Sequence, residues 1–190
     1  MKQFHRWIQI LGITLILASL GLAAASRLYA HKTQAESAAV AKRMEQILTV
    51  RTTGVSVGSG PMPVMELSGR DYACLLEVPE LGVSLPVCND WQERSTAGNP
   101  CRYWGSAYDG SLIIGGGEMA QLDFCGLLDL GDRIVITDMR GQEYVYFVTS
   151  ILRADSLTFQ RLREGEEPLT IFTRDGLSNR KIVVRCSNTS

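Results

Sequence analysis

Histidine is all but missing from this chain of 190 residues. The two present, His5 and His31, lie close to the N-terminus, and none follows. That absence excludes an imidazole proton shuttle from the distal part of the chain, together with zinc sites that use histidine. Cysteine is also sparse: five residues, at 74, 88, 101, 125 and 186, include no C-x-x-C pair. No metal site and no cofactor is therefore expected. The odd number leaves at least one thiol free. Cys74, Cys88 and Cys186 fall in or beside strand-like runs, where buried inert thiols are expected. A Cys101–Cys186 disulfide is conceivable, since spacing alone does not fix pairing.

Positive charge is lacking where a nucleic acid would need it. The formal net charge of −1 divides into two halves of opposite sign. Residues 1–70 hold eight Lys/Arg against three Asp/Glu, whereas residues 71–190 hold eleven against seventeen. An acidic distal domain offers no basic face for phosphates, which excludes nucleic acid as a partner.

Long hydrophobic runs are absent, with one exception. Residues 7–26, "WIQILGITLILASLGLAAAS", carry no charge over twenty positions. At 1.5 Å per residue such a helix just spans a hydrocarbon core of about 30 Å. Lys2 and Arg6 precede it and Arg27 and Lys32 follow. The expected organisation is a cytoplasmic tail (1–6), a transmembrane signal-anchor (7–26) and an exported domain. The alternative is a cleaved signal peptide, since "LAAAS" offers small residues of the A-x-A kind. Both readings place the domain outside the cell.

Residues 27–50 read as a juxtamembrane helix, with Val40, Met44, Ile47 and Leu48 at helical spacing. Residues 51–70, rich in Gly, Ser and Pro, read as a linker. From residue 71 the texture changes to short apolar runs separated by turns. "YACLLEVPELGVSLPV" reads as a hairpin-like pair, and "SLIIGG" as a short buried strand. "DRIVITD" and "EYVYFVTSILRA" flank the turn "MRGQ", and "LTIFT" and "KIVVR" flank "RDGLSN". Seven or eight short strands with little helix imply an all-β barrel or sandwich over 71–190. No internal repeat is present.

The order "LLEVPELGVSLPV … NPCRYWGSAYDGSLIIGG … LGDRIVITDMRGQEYVYFV … LTIFT … IVVRC" resembles sortases over about residues 66–188. It is most similar to the class B-like group of Gram-positive bacteria. The resemblance implies a closed sortase-type β-barrel of seven to eight strands with short helices, preceded by an N-terminal transmembrane helix. It also implies a single-pass cell-membrane protein with its barrel outside. Sortases are cysteine transpeptidases that cut a C-terminal sorting signal and join the protein to the cell wall or to another pilin. Their chemistry needs a thiolate nucleophile, a histidine proton shuttle and an arginine oxyanion donor.

This chain departs from that pattern at each point. After "LTIFT" the nucleophile position holds Arg174, whose guanidinium stays charged and cannot attack a carbonyl. The histidine position falls on Gly117, or on Gly116 with a one-residue slip. The arginine position falls on Lys181, or on Arg180 with a one-residue slip. The expectation is therefore a catalytically inactive pseudo-sortase that binds a peptide, a sorting signal or a partner sortase. Arg174, Asp175, Arg180, Lys181, Trp104 and Glu118 are the candidate binding residues. Trp91, Tyr103 and Tyr108 are further aromatics able to line a groove. Two alternatives stand beside it. One is an active sortase with a relocated nucleophile, for which Cys125 in "DFCGLL" is the candidate. The other is a structural surface protein with no ligand.

Overall fold

A computed structural model describes residues 2–51, 61–91, 98–116, 121–156, 158–174 and 180–188, with most side chains before Gln34 left aside. The chain forms two compact units, Met1–Glu36 and Ser37–Ser190. One α-helix, α1 (Lys2–Arg51), runs through the first and into the second. The helix expected over 27–50 lies within it, in a stretch whose Ala, Glu and Lys favour helix.

Within the first unit the side chains of residues 14–22 are described, and all are exposed. Among them Leu15, Ile16, Leu17, Leu20 and Leu22 are each at least 60% exposed. The rest of the expected anchor, residues 7–13 and 23–26, lies outside the side chains described. Among the described residues no helix is long and apolar enough to cross a membrane.

In the second unit the end of α1 is amphipathic. Ala41, Met44 and Leu48 recur at helical spacing and are buried against Tyr72, Leu75, Cys88, Cys101 and Met139. Polar groups fix the same face: Ser37 donates to Asn99 Oδ1, and Gln121 Nε2 donates to Ser37 Oγ at 2.9 Å. This part of the helix is a covering layer of the domain.

The strands are β1 (Met65–Leu67), β2 (Arg70–Val78), β3 (Val83–Cys88), β4 (Cys101–Trp104) and β5 (Leu112–Gly115). They continue as β6 (Arg133–Asp138), β7 (Glu143–Ala154), β8 (Leu169–Arg174) and β9 (Lys181–Ser187). A short helix, α2 (Phe159–Arg163), precedes β8. The strand order is β1-β2-β3-β4-β5-β8-β9-β7-β6, and a β2–β6 pairing closes the sheet. The closed barrel thus has eight strands, with β1 added at one edge. That agrees with the architecture expected from the sequence.

β1 corrects the expectation of a linker over 51–70. Leu67 pairs with Arg70, and Ser68 and Gly69 between them have φ of 53° and 76°. Positive φ at both central residues is the type I′ turn that matches strand twist, so "LSGR" closes a hairpin in spite of its polar composition. Residues 52–60 lie outside the described residues. Pro86 is tolerated inside β3 because, among the described residues, β3 pairs with β4 only at Cys88↔Cys101 and has no other strand partner on that side. The β6–β7 turn is held by Asp138, whose Oδ1 accepts from the amides of Arg140 and Gln142.

Alternation then sorts the side chains. Leu169 and Ile171 of β8, and Ile182, Val184 and Cys186 of β9, fill the barrel interior with Leu112, Ile114, Ile134, Ile136 and Tyr146. The intervening residues Phe172 and Val183 face outward and form a separate cluster with Ile113 and Leu162.

Candidate functional site

Two strand ends meet at one rim of the barrel. β5 runs parallel to β8, with Gly115 opposite Phe172, and the amide of Gly116 donates to the Phe172 carbonyl at 3.1 Å. β9 returns antiparallel, which sets Lys181 opposite Arg174. Directly opposed residues in an antiparallel pair point to the same face. By parity with Phe172 and Val183 that face is the outer one. Both cations are half-buried. Arg174, at the position aligned above with the nucleophile, and Lys181, one of the two aligned with the oxyanion donor, thus lie side by side as two basic residues. Gly117, Glu118 and Asp175 lie outside the described residues.

Register also separates Lys181 from Arg180. Arg180 is exposed, and its Nε contacts Asp155 Oδ1 at 3.1 Å, just past the end of β7. Lys181 is the residue that shares a ladder pair with Arg174.

Below the cations the outer face is aromatic. Trp91 meets Tyr103 edge-on at 4.9 Å and Phe172 at 5.4 Å, and Tyr103 meets Phe172 edge-on at 5.1 Å. Phe159 of α2 extends the row to Tyr103 and to Trp104, which is 46% exposed. The Arg163 guanidinium lies 4.8 Å from the Trp104 ring centroid. The row exists because residue 115 is glycine. A Cβ there would fall 2.3 Å from the Phe172 ring and 2.6 Å from that of Trp91. Phe159 and Phe172 were not singled out in the sequence. The available signal was that Phe172 shares the two-residue parity of Arg174. Tyr108 does not join the row; its hydroxyl donates to Asp138 Oδ2 at 2.5 Å and its ring meets Tyr144.

The five cysteines are free thiols and all are buried. Cys101 and Cys186 belong to different clusters, so the conceivable disulfide between them does not form. Cys125 sits in a short 3₁₀ turn, Asp123–Gly126, and is 1% exposed. Burial pushes its thiol up, with the neighbouring Cys186 adding to the effect. Burial likewise pushes Cys74 and Cys186 up to about 12. A thiol held protonated in this way is a poor nucleophile. The arrangement offers a cationic rim above an aromatic wall, which is suited to holding an extended chain that bears a carboxylate.

No family model and no curated protein matches the sequence. Solved structures match in three dimensions. Sortase C1 from Streptococcus agalactiae is 16% identical at a TM-score of 0.52, over 64% of this chain and 69% of that one. Sortase C from Clostridium perfringens, solved with the C-terminal cell wall sorting motif, is 14% identical at a TM-score of 0.52, over 78% and 86%. Sortase A from Corynebacterium diphtheriae is 14% identical at a TM-score of 0.51, over 87% and 94%. The barrel is a sortase fold, as the resemblance in sequence implied. At these identities the likeness concerns the fold and not the class, the reaction or the ligand.

Proposed function

We propose that this chain is a membrane-anchored, extracellular sortase-like protein that does not catalyse transpeptidation. It binds a peptide, most directly a sorting signal or a segment of a partner sortase. The observation that carries this reading is the Arg174–Lys181 pair. Where a thiolate would face an oxyanion donor, two cations share one face, and such a pair attracts a carboxylate rather than attacking a carbonyl. The sorting motif bound to the Clostridium perfringens sortase C supports a peptide as the ligand class. The exposed apolar side chains of residues 14–22 support the anchor. The burial and raised thiol of Cys125 give no support to a relocated nucleophile there.

The test uses the full chain in detergent, mixed with sorting-signal-like peptides and an amine acceptor. Mass spectrometry is expected to find no cleaved or ligated product. Titration with the same peptides is expected to show binding that weakens at high salt. Product formation would overturn the assignment and call for mapping of the acylated residue. Failure to bind any peptide would leave the structural surface protein as the better reading.

A further inference from the structure

Cys88 and Cys101 lie next to each other at the single pair that joins parallel strands β3 and β4. The Cys88 amide donates to the Pro100 carbonyl at 2.8 Å, which locks the two strand ends in register. In-register residues on neighbouring strands have Cα atoms about 4.7–4.9 Å apart, within the 4.4–6.8 Å that a disulfide spans. Both side chains point to the same outer face, beneath the end of α1, and join Tyr72, Leu75 and Met139 in one cluster. The neighbouring Cys101 thiol is the largest reason that the Cys88 thiol is pushed up, ahead of burial. The other three cysteines face the barrel interior in a different cluster.

We infer that Cys88 and Cys101 are a disulfide-forming pair, a modification site that staples β3 to β4 when the protein meets an organic disulfide. The step balances as two exchanges. The Cys88 sulfur attacks one sulfur of the external disulfide, forming a mixed disulfide and expelling one thiolate, which takes up the Cys88 proton. The Cys101 sulfur then attacks the Cys88 sulfur and expels the second thiolate, which takes up the Cys101 proton. The protein pair is oxidised by two electrons and the external disulfide is reduced to two thiols. Both thiols are buried and that of Cys88 is held protonated, so exchange is slow. It runs through brief opening of the β3–β4 end, where Cys88, at 8% exposed against 3% for Cys101, is the point of entry.

The consequence reaches the candidate site. The closed loop would contain Trp91, whose ring packs both on the cysteine cluster and on the aromatic wall with Tyr103 and Phe172. It would also contain Asn99, the acceptor for Ser37 of α1. Cys101 is itself the ladder partner of Gly115, on which the Trp91 and Phe172 rings lie. Oxidation therefore ties together the strand ends beside which Trp91 packs. The inference does not depend on whether the groove binds a peptide.

The test takes the full chain, purified with reductant in detergent, and exposes it under native conditions to oxidised glutathione. After acid quenching, denaturation and alkylation, the expected result is a mass about 2 Da lower before alkylation. Alkylated cysteines should fall from five to three, and peptide mapping should recover a linked peptide containing Cys88 and Cys101. The oxidised protein should also melt at a higher temperature than the reduced protein, a difference lost in Cys88→Ser. Five alkylated cysteines after treatment, a Cys125–Cys186 link, or a stable glutathione adduct on Cys88 alone would each overturn the inference. The mapping is made on the unsubstituted chain, so it decides even where a serine variant fails to fold.

Discussion

Arg174 and Lys181 stand opposite one another as the last pair of the ladder between β8 and β9, both on the outer face of the barrel. Like charges directly opposite in an antiparallel pair disfavour the ladder, and an anion bound between them would offset this. Replacing one of them by an acid should therefore act in opposite directions on stability and on binding. Lys181→Glu is expected to stabilise the barrel by about 0.2–1 kcal/mol. It is expected to abolish titratable binding of a carboxylate-bearing peptide. Thermal unfolding and calorimetry on the same sample read both effects, and undiminished peptide affinity would remove Lys181 from the site.

Gly115 carries no side chain because two rings occupy that space. Gly115→Ala must displace Phe172 and Trp91, and overpacking of this kind costs typically about 1–3 kcal/mol. The variant should unfold at lower denaturant and should show altered Trp91 fluorescence. An unchanged unfolding midpoint would mean that the rings move aside without penalty and that the wall is not rigid.

Met44 is fully buried between α1 and the outer face of the barrel. Met44→Ala leaves a cavity there and is expected to cost about 2–5 kcal/mol. Denaturant titration of the full chain measures it. A loss below about 1 kcal/mol would show that this half of α1 is not an integral layer of the domain.

Alkaline pH should destabilise the domain through its buried thiols. Cys74 and Cys186 are pushed up to about 12, chiefly by burial, and burial raises Tyr146 as well. Below the ordinary thiol value of about 8.5 both folded and unfolded chains stay protonated, so no dependence arises. Above it the unfolded chain ionises first, binds fewer protons than the folded one, and stability falls as pH rises toward 12. Urea midpoints should be level from about pH 7.5 to about pH 8.5 and decline from there to about pH 10.5. A flat profile would contradict it.

Much of the barrel was legible in the sequence because its strands are short, β-branched and bounded by turns. The β6–β7 hairpin around "MRGQ" and the β8–β9 pair were read at their correct places. β1 was not, because three residues among prolines and glycines have no periodicity to read, and the two positive φ values at Ser68 and Gly69 are what make the hairpin. At the site, the stretch after "LTIFT" and the cation on the following strand were legible as positions. The aromatic wall was not. Phe172 comes from β8, Tyr103 from β4, Trp91 from the segment after β3 and Phe159 from α2, and no local pattern joins residues so far apart.

The sequence by itself determined the chemical inventory. There is no histidine beyond residue 31, a guanidinium stands at residue 174, and residues 71–190 carry more acidic than basic side chains. Those facts follow from composition and order, and no folding of the chain can alter them. The tertiary structure alone decided which of these groups meet. Strand register placed Lys181 rather than Arg180 opposite Arg174, and it placed Cys88 beside Cys101 rather than Cys101 beside Cys186. The physical reason is that side chains alternate with a period of two across a closed sheet. A shift of one residue exchanges the barrel interior for its outer face, and only the full set of pairings around the barrel selects one register.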